Sequence, residues 1–129
     1  LLDRIDLQVA VQRPCAEVLL APQTGLSTEK AKQWVAKTQA KQLARCGLLN
    51  GYLSSAALGS YAKLKSNDEK LLQNAISNLH LSPQGIHKVL RVAHTIADLE
   101  NTTDIQKNHL LEALSYRRLD VLSMESQQI

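Results

Sequence analysis

From Ser27 onward the sequence repeats one arrangement, a small polar residue able to cap a helix followed by apolar residues three and four positions apart. That arrangement commits most of the chain to short helices. Ser27 stands ahead of a helix with Glu29 in its first turn, which runs through Trp34, Val35 and Leu43 to a stop at Gly47. Ser54 or Ser55 opens a second, short helix through Ala56, Ala57, Leu58 and Tyr61. Ser66-Asn67-Asp68-Glu69 has the form of a capping box, with Leu71, Leu72, Ala75, Ile76 and Leu79 on one face behind it. Ser82-Pro83 supplies an N-cap with proline at the first helical position, ahead of Ile86, Val89, Leu90, Ala93 and Ala97. Thr103-Asp104-Ile105-Gln106 repeats the capping-box form before Leu110, Leu111 and Leu114. The expected fold is an all-α bundle of four or five helices.

The first eleven residues follow another rule. Ile5, Leu7, Val9 and Val11 alternate with Asp6, Gln8 and Ala10, the period of a half-buried strand. No second stretch offers a partner, so the reading is an orphan β-strand from a sheet whose other strands are missing, and the chain reads as starting just before the last strand of a larger domain. Pro14, Pro22 and Gly25 then mark a connecting loop. The expected organisation is a strand over 1–12, a linker over 13–26, a helical domain over 27–120 and a flexible tail over 121–129.

Composition narrows the class further. With 129 residues there is room for one domain or slightly more, which excludes a large multi-domain enzyme. There is no Phe, so the core must come from Leu, Ile, Val and Ala. Cys15 and Cys46 have no CxxC or Cys/His spacing around them, which argues for neither a disulfide framework nor a zinc site. The opening LLDRIDLQV carries charges where a secretory signal needs an apolar run, and no stretch of about twenty apolar residues could span a bilayer. A cytoplasmic protein with no membrane partner is the expectation. The net charge of +3 is mild, so the placement of the charges decides more than their sum.

Candidate chemistry is sparse. Gly59 to Ser66, GSYAKLKS, departs from the phosphate-loop pattern at Leu64 and lies between helices, so the chain on its own is expected to bind no ATP. His80, His87 and His94 recur every seven residues, but two helical turns separate His87 from His94 by roughly 10 Å, too far for one metal ion. They and His109 read as polar surface residues, and no metal site is expected. On the first long helix Lys30, Lys37, Lys41 and Arg45 fall within about 80° of one another beside Trp34. This basic stripe either meets DNA phosphates or a protein partner, or is a solvated face, the plainer reading. Arg4, between Asp3 and Asp6, could pair locally or reach a neighbouring subunit's phosphate. Arg91, between Leu90 and Val92, needs a partner, for which Asp98, Glu100 and Asp120 are candidates.

Four stretches together carry a family resemblance: LLDRIDLQVAV at 1–11, QAKQLARCGLLNGYLS at 39–54, LSPQGIHKVLRVAHTIADLE at 81–100 and IQKNHLLEALSYRRLD at 105–120. They resemble the C-terminal part of magnesium-chelatase-like AAA+ ATPases, nearest to the bacterial competence branch, over nearly the whole chain. The resemblance implies a helical lid preceded by the last strand of an ATPase core. It further implies ATP hydrolysis with Mg²⁺ in a homo-hexameric ring, and DNA branch migration serving natural transformation and recombination. The family's phosphate loop and Mg²⁺-binding acids are not in this sequence, so the chain by itself is expected to be inactive and to hold no cofactor.

By the same resemblance Arg4 in LLDRID takes the arginine-finger position, acting in trans, and Arg91 in VLRVAH takes a nucleotide-sensing position on the lid. Relatives reading SARAYHRILRVAR carry arginines where this chain has Gln84 and His94, so the sensing role falls to Arg91 or to Gln84. Two other readings are a stand-alone helical module using Lys30, Lys37, Lys41 and Arg45 on nucleic acid or protein, and a subunit of a magnesium chelatase.

Overall fold

A computed structural model describes residues 4–117 of the chain. The tail expected over 121–129 and the candidate partner Asp120 lie outside the described residues. Six α-helices follow one another: α1 (Ala16–Leu20), α2 (Thr28–Cys46), α3 (Ser55–Tyr61), α4 (Ser66–Leu79), α5 (Pro83–Leu99) and α6 (Lys107–Ser115), with a 3₁₀ turn at Asn50–Tyr52. The all-α reading holds.

Three of the caps form as their residues dictate. Ser27 Oγ accepts from Lys30 N (3.2 Å), Ser54 Oγ from Ala57 N (3.2 Å) and Ser82 Oγ from Gly85 N (3.0 Å). Gly47 ends α2 at φ 76°, in the left-handed region that glycine enters without penalty. Two caps differ from expectation. Ser66 is the first residue of α4, and Lys65 holds the cap position with no side-chain cap bond. The α6 capping box is built from Gln106 and His109, whose Nδ1 accepts from Gln106 N at 3.0 Å, so the helix begins four residues past Thr103. Ile105, only 1% exposed, is drawn into the core from the extended stretch that precedes that cap.

The core is aliphatic: Leu53, Leu58, Leu72, Val89, Ala93, Ile105, Leu110, Ala113 and Leu114. Helix α5 is its centre, packed against α6, α2, α3 and the 3₁₀ turn, while α4 lies against α6. Fully buried Ala93 and Ala97 let these neighbours approach its axis closely.

The orphan strand is not present among the described residues. Residues 7–12 run without regular structure, Ile5, Leu7, Val9 and Val11 are exposed, and the buried side chain is Gln8. A strand is stabilised by a ladder of backbone bonds, and among the described residues the bond that joins the segment to the helices is Gln8 N to Tyr116 O at 3.0 Å. The loop expected after it contains the short helix α1, which buries none of its residues.

Candidate functional site

Gln84, His87, Lys88 and Arg91 lie at i, i+3, i+4 and i+7 on α5, which sets them along one stripe. With Arg4 and Ser55 they line a cleft of about 500 Å³. The three residues that the family resemblance singles out for nucleotide chemistry, Arg4, Gln84 and Arg91, are thus brought together although 80 residues separate the first from the second. Three of the lining residues, Arg4, Lys88 and Arg91, are basic, and Asp6 pairs with one of them, Lys88, so the positive potential of the cleft rests on Arg4 and Arg91.

Each cation is held differently. Arg91 donates from Nη2 to Leu53 O (2.9 Å), while its Nε is buried without a hydrogen-bond partner. Neither Asp98 nor Glu100 pairs with it, because Asp98 is taken by Arg45 and Glu100 by His109. Lys88 Nζ ion-pairs with Asp6 and donates to Arg4 O (3.2 Å), so Asp6 is occupied by Lys88. Ser55 Oγ and His87 Nδ1 are 3.3 Å apart across the cleft floor, joining α3 to α5.

The basic stripe of α2 is divided. Arg45 ion-pairs with Asp98, whose side chain is fully buried, and lies 2.7 Å from His94 Nε2. Lys41 Nζ reaches Asn101 Oδ1 (3.3 Å) and Thr102 O (3.4 Å), just past the end of α5. Trp34 Nε1 donates to Leu99 O at 2.9 Å. Trp34, Thr38, Lys41, Gln42 and Arg45 therefore form the face of α2 turned to α5, and Lys30 and Lys37 are the exposed members of the stripe.

Two histidines expected on the surface are buried. His94 is 1% exposed, and its pKa is lowered, first by burial and then by the nearby Arg45 and Lys41 charges, against the opposing pull of Asp98. His109 is fully buried, with Nδ1 used in the α6 cap and Nε2 2.6 Å from Glu100. Both sit on the inward faces of their helices, α5 and α6. Among the described residues no group of three or more His, Cys, Asp or Glu converges to hold a metal ion, and no helix is long and apolar enough to cross a membrane.

Sequence reasoning passed over two residues. Arg117 is 1% exposed and donates from Nη1 to Ile5 O (2.7 Å), and Lys88 takes Asp6. The polar stripe at i, i+3, i+4 and i+7 on α5 was a signal for Lys88. Nothing local to Arg117 marked it.

Comparison with known proteins bears on this geometry. The family described as magnesium chelatase, subunit ChlI C-terminal, matches residues 25–117. The chain is similar to the uncharacterized protein YifB of Escherichia coli (strain K12), 34% identical over 99% of the chain and 26% of that protein. It is similar to the competence protein ComM of Haemophilus influenzae, 34% identical over 92% of the chain and 23% of that protein. The YifB of Salmonella typhimurium is 33% identical over 99% of the chain and 26% of its own length. The chain spans about a quarter of the length of these relatives.

Proposed function

The chain belongs to the magnesium chelatase ChlI C-terminal family, and from that premise we propose that it is the helical lid of an AAA+ ATPase whose α5 cleft faces the phosphates of a nucleotide. The observation that carries the reading is the cleft itself: the guanidinium groups of Arg4 and Arg91 line it together, and neither has a carboxylate partner among the described residues, while Lys88 beside them is paired with Asp6. A phosphate is the anion such a pair of guanidinium groups suits.

Bound ATP with Mg²⁺ supplies the phosphoanhydride whose cleavage drives the motor. The chain's own residues neutralise charge. Arg4 would bring its guanidinium to the developing negative charge, a contribution typically worth ~10³ to 10⁵ in rate for an arginine finger. Arg91 reports nucleotide from α5, the central helix, so its movement would carry the lid with it. Gln84, one turn before Lys88, adds an amide donor. Because Arg4 and Arg91 line one cleft of one chain, a single anion there meets both, and the subunit supplying Arg4 in trans supplies Arg91 as well. The Asp6 carboxylate beside the cleft is paired with Lys88, so ligands for Mg²⁺ would come from outside the described residues.

The whole protein would form a homo-hexameric ring and act on DNA by branch migration in natural transformation and recombination, a reading supported by the similarity to a relative named a competence protein. A stand-alone binding module built on the α2 stripe is less well supported, since Lys41 and Arg45 are committed to α5. The test is Arg4→Ala in the full-length protein: ATP hydrolysis is lost while nucleotide binding survives, and normal turnover would refute the role.

A further inference from the structure

Three consecutive residues at the start of the described chain are held by two cations from the helical body. Lys88 of α5 donates to Arg4 O (3.2 Å) and ion-pairs with Asp6. Arg117, just beyond α6 and 1% exposed, donates from Nη1 to Ile5 O (2.7 Å). Two residues further on, Gln8 N donates to Tyr116 O (3.0 Å). Its apolar side chains do not fix its position: among the described residues it forms no strand, and Ile5, Leu7, Val9 and Val11 are exposed.

From these contacts we infer that Lys88, Asp6 and Arg117 are positioning residues for Arg4. They form a clamp that ties the backbone of residues 4–6 to α5 and sets the Arg4 guanidinium in the same cleft as Arg91. The inference rests on the reading of that cleft as a phosphate site. The geometry favours a clamp over a direct ligand role for Lys88, since its ammonium is spent on Asp6 and on the Arg4 carbonyl. Arg117 suits the permanent half of the clamp: it is buried and cannot lose its charge. Lys88 suits the adjustable half, because its partner Asp6 is 62% exposed at the side chain and the pair can open. A movement of α5 is thereby transmitted to Arg4 through Lys88 directly, without passing through the core.

The experiment is a steady-state comparison of Asp6→Asn, Lys88→Ala and Lys88→Arg in the full-length ATPase, each also made in an Arg4→Ala background. Asp6→Asn breaks the ion pair at an exposed position and leaves the Lys88 charge in the cleft, so it keeps the test usable even if Lys88→Ala does not fold. A clamp predicts that Asp6→Asn and Lys88→Ala each lower kcat by roughly tenfold to a hundredfold, as misplacement of a catalytic group does, with KM unchanged. Lys88→Arg restores most of the rate. Residual single-turnover hydrolysis in the Arg4→Ala background is not lowered further by either change. A rise in KM with kcat unchanged in Lys88→Ala would overturn the inference by making Lys88 a nucleotide ligand. Normal kinetics in Asp6→Asn would overturn it while leaving the cleft reading intact, whereas normal turnover in Arg4→Ala would remove that reading and the clamp with it.

Discussion

Arg45 on α2 and Asp98 on α5 form an ion pair in which the carboxylate is fully withdrawn from solvent and both guanidinium Nη atoms reach it. Asn50 Nδ2 donates to the same carboxylate at 2.9 Å and to Thr95 Oγ1 at 3.1 Å, so the pair also anchors the 3₁₀ turn. Gln42 completes the frame by accepting from Asn50 N at 2.9 Å. The junction of α2, the turn and α5 is polar, in contrast to the aliphatic cluster that α5 shares with α3, α4 and α6, and this fixes how α2 lies on the bundle.

Removing one member of that pair strands a buried charge. Arg45→Met should therefore cost about 3 kcal/mol or more, the usual penalty for an uncompensated buried ion. Arg45→Met with Asp98→Leu should recover only part of it, because Asn50 then loses its carboxylate acceptor. Urea unfolding midpoints of the two variants check this, and equal midpoints for Arg45→Met and the parent would refute it.

The burial of His94 makes stability depend on pH. In the folded protein its pKa lies below the ordinary 6.5, because burial and the adjoining Arg45 and Lys41 charges disfavour the imidazolium more than Asp98 favours it. Neutral Nε2 accepts from Arg45, and a proton there would set two N–H groups against each other. The unfolded state then binds more protons than the folded one below about pH 6.5. The stabilisation is complete above that pH and declines as pH falls towards the folded pKa. Unfolding free energies between pH 7.5 and roughly 5.5 should fall for the parent and stay flatter for His94→Gln; parallel curves would count against it.

How far these features were legible depended on the range of the interaction behind them. Ser27, Gly47 and Ser82-Pro83 act within one helical turn, and the helices they bound appear as read. The alternation of Ile5, Leu7, Val9 and Val11 is equally local, yet a strand exists only by pairing, and the segment's backbone bond to the rest of the chain goes to Tyr116. Thr103-Asp104-Ile105-Gln106 satisfied the capping pattern, but burial of Ile105 moved the helix start to the Gln106–His109 pair. Arg4, Gln84 and Arg91 were singled out through family likeness, and only the tertiary fold sets them in one cleft. The role of Arg45 was misjudged because helical angles place a side chain on a face without saying what covers that face.

The division of the α2 stripe separates two effects that a charge count merges. Lys30 and Lys37 are exposed and make no ion pair among the described residues, so Lys30→Ala/Lys37→Ala should leave unfolding within about 0.5 kcal/mol of the parent. If this face meets DNA, the same double variant should weaken binding and reduce the salt slope by about 1.4, at about 0.7 per contact with a single strand. Titrations of single-stranded DNA at several salt concentrations check both, and an unchanged slope would remove the α2 face from any DNA contact.

Gln84 offers the complementary test, a gain instead of a loss. It lines the cleft beside Arg4, Lys88 and Arg91. Gln84→Arg adds a guanidinium beside those of Arg4 and Arg91, so on anion-free protein it should be neutral or slightly destabilising through like-charge repulsion. With a polyphosphate present the sign reverses, since a charge-assisted hydrogen bond contributes about 1.5 kcal/mol, or roughly tenfold in affinity. Calorimetric titration with ATP at fixed ionic strength should therefore show tighter binding in Gln84→Arg and weaker binding in Arg91→Met. Unchanged affinity in both would mean that the phosphates lie elsewhere, and the cationic lining of α5 would then need an acceptor of another kind.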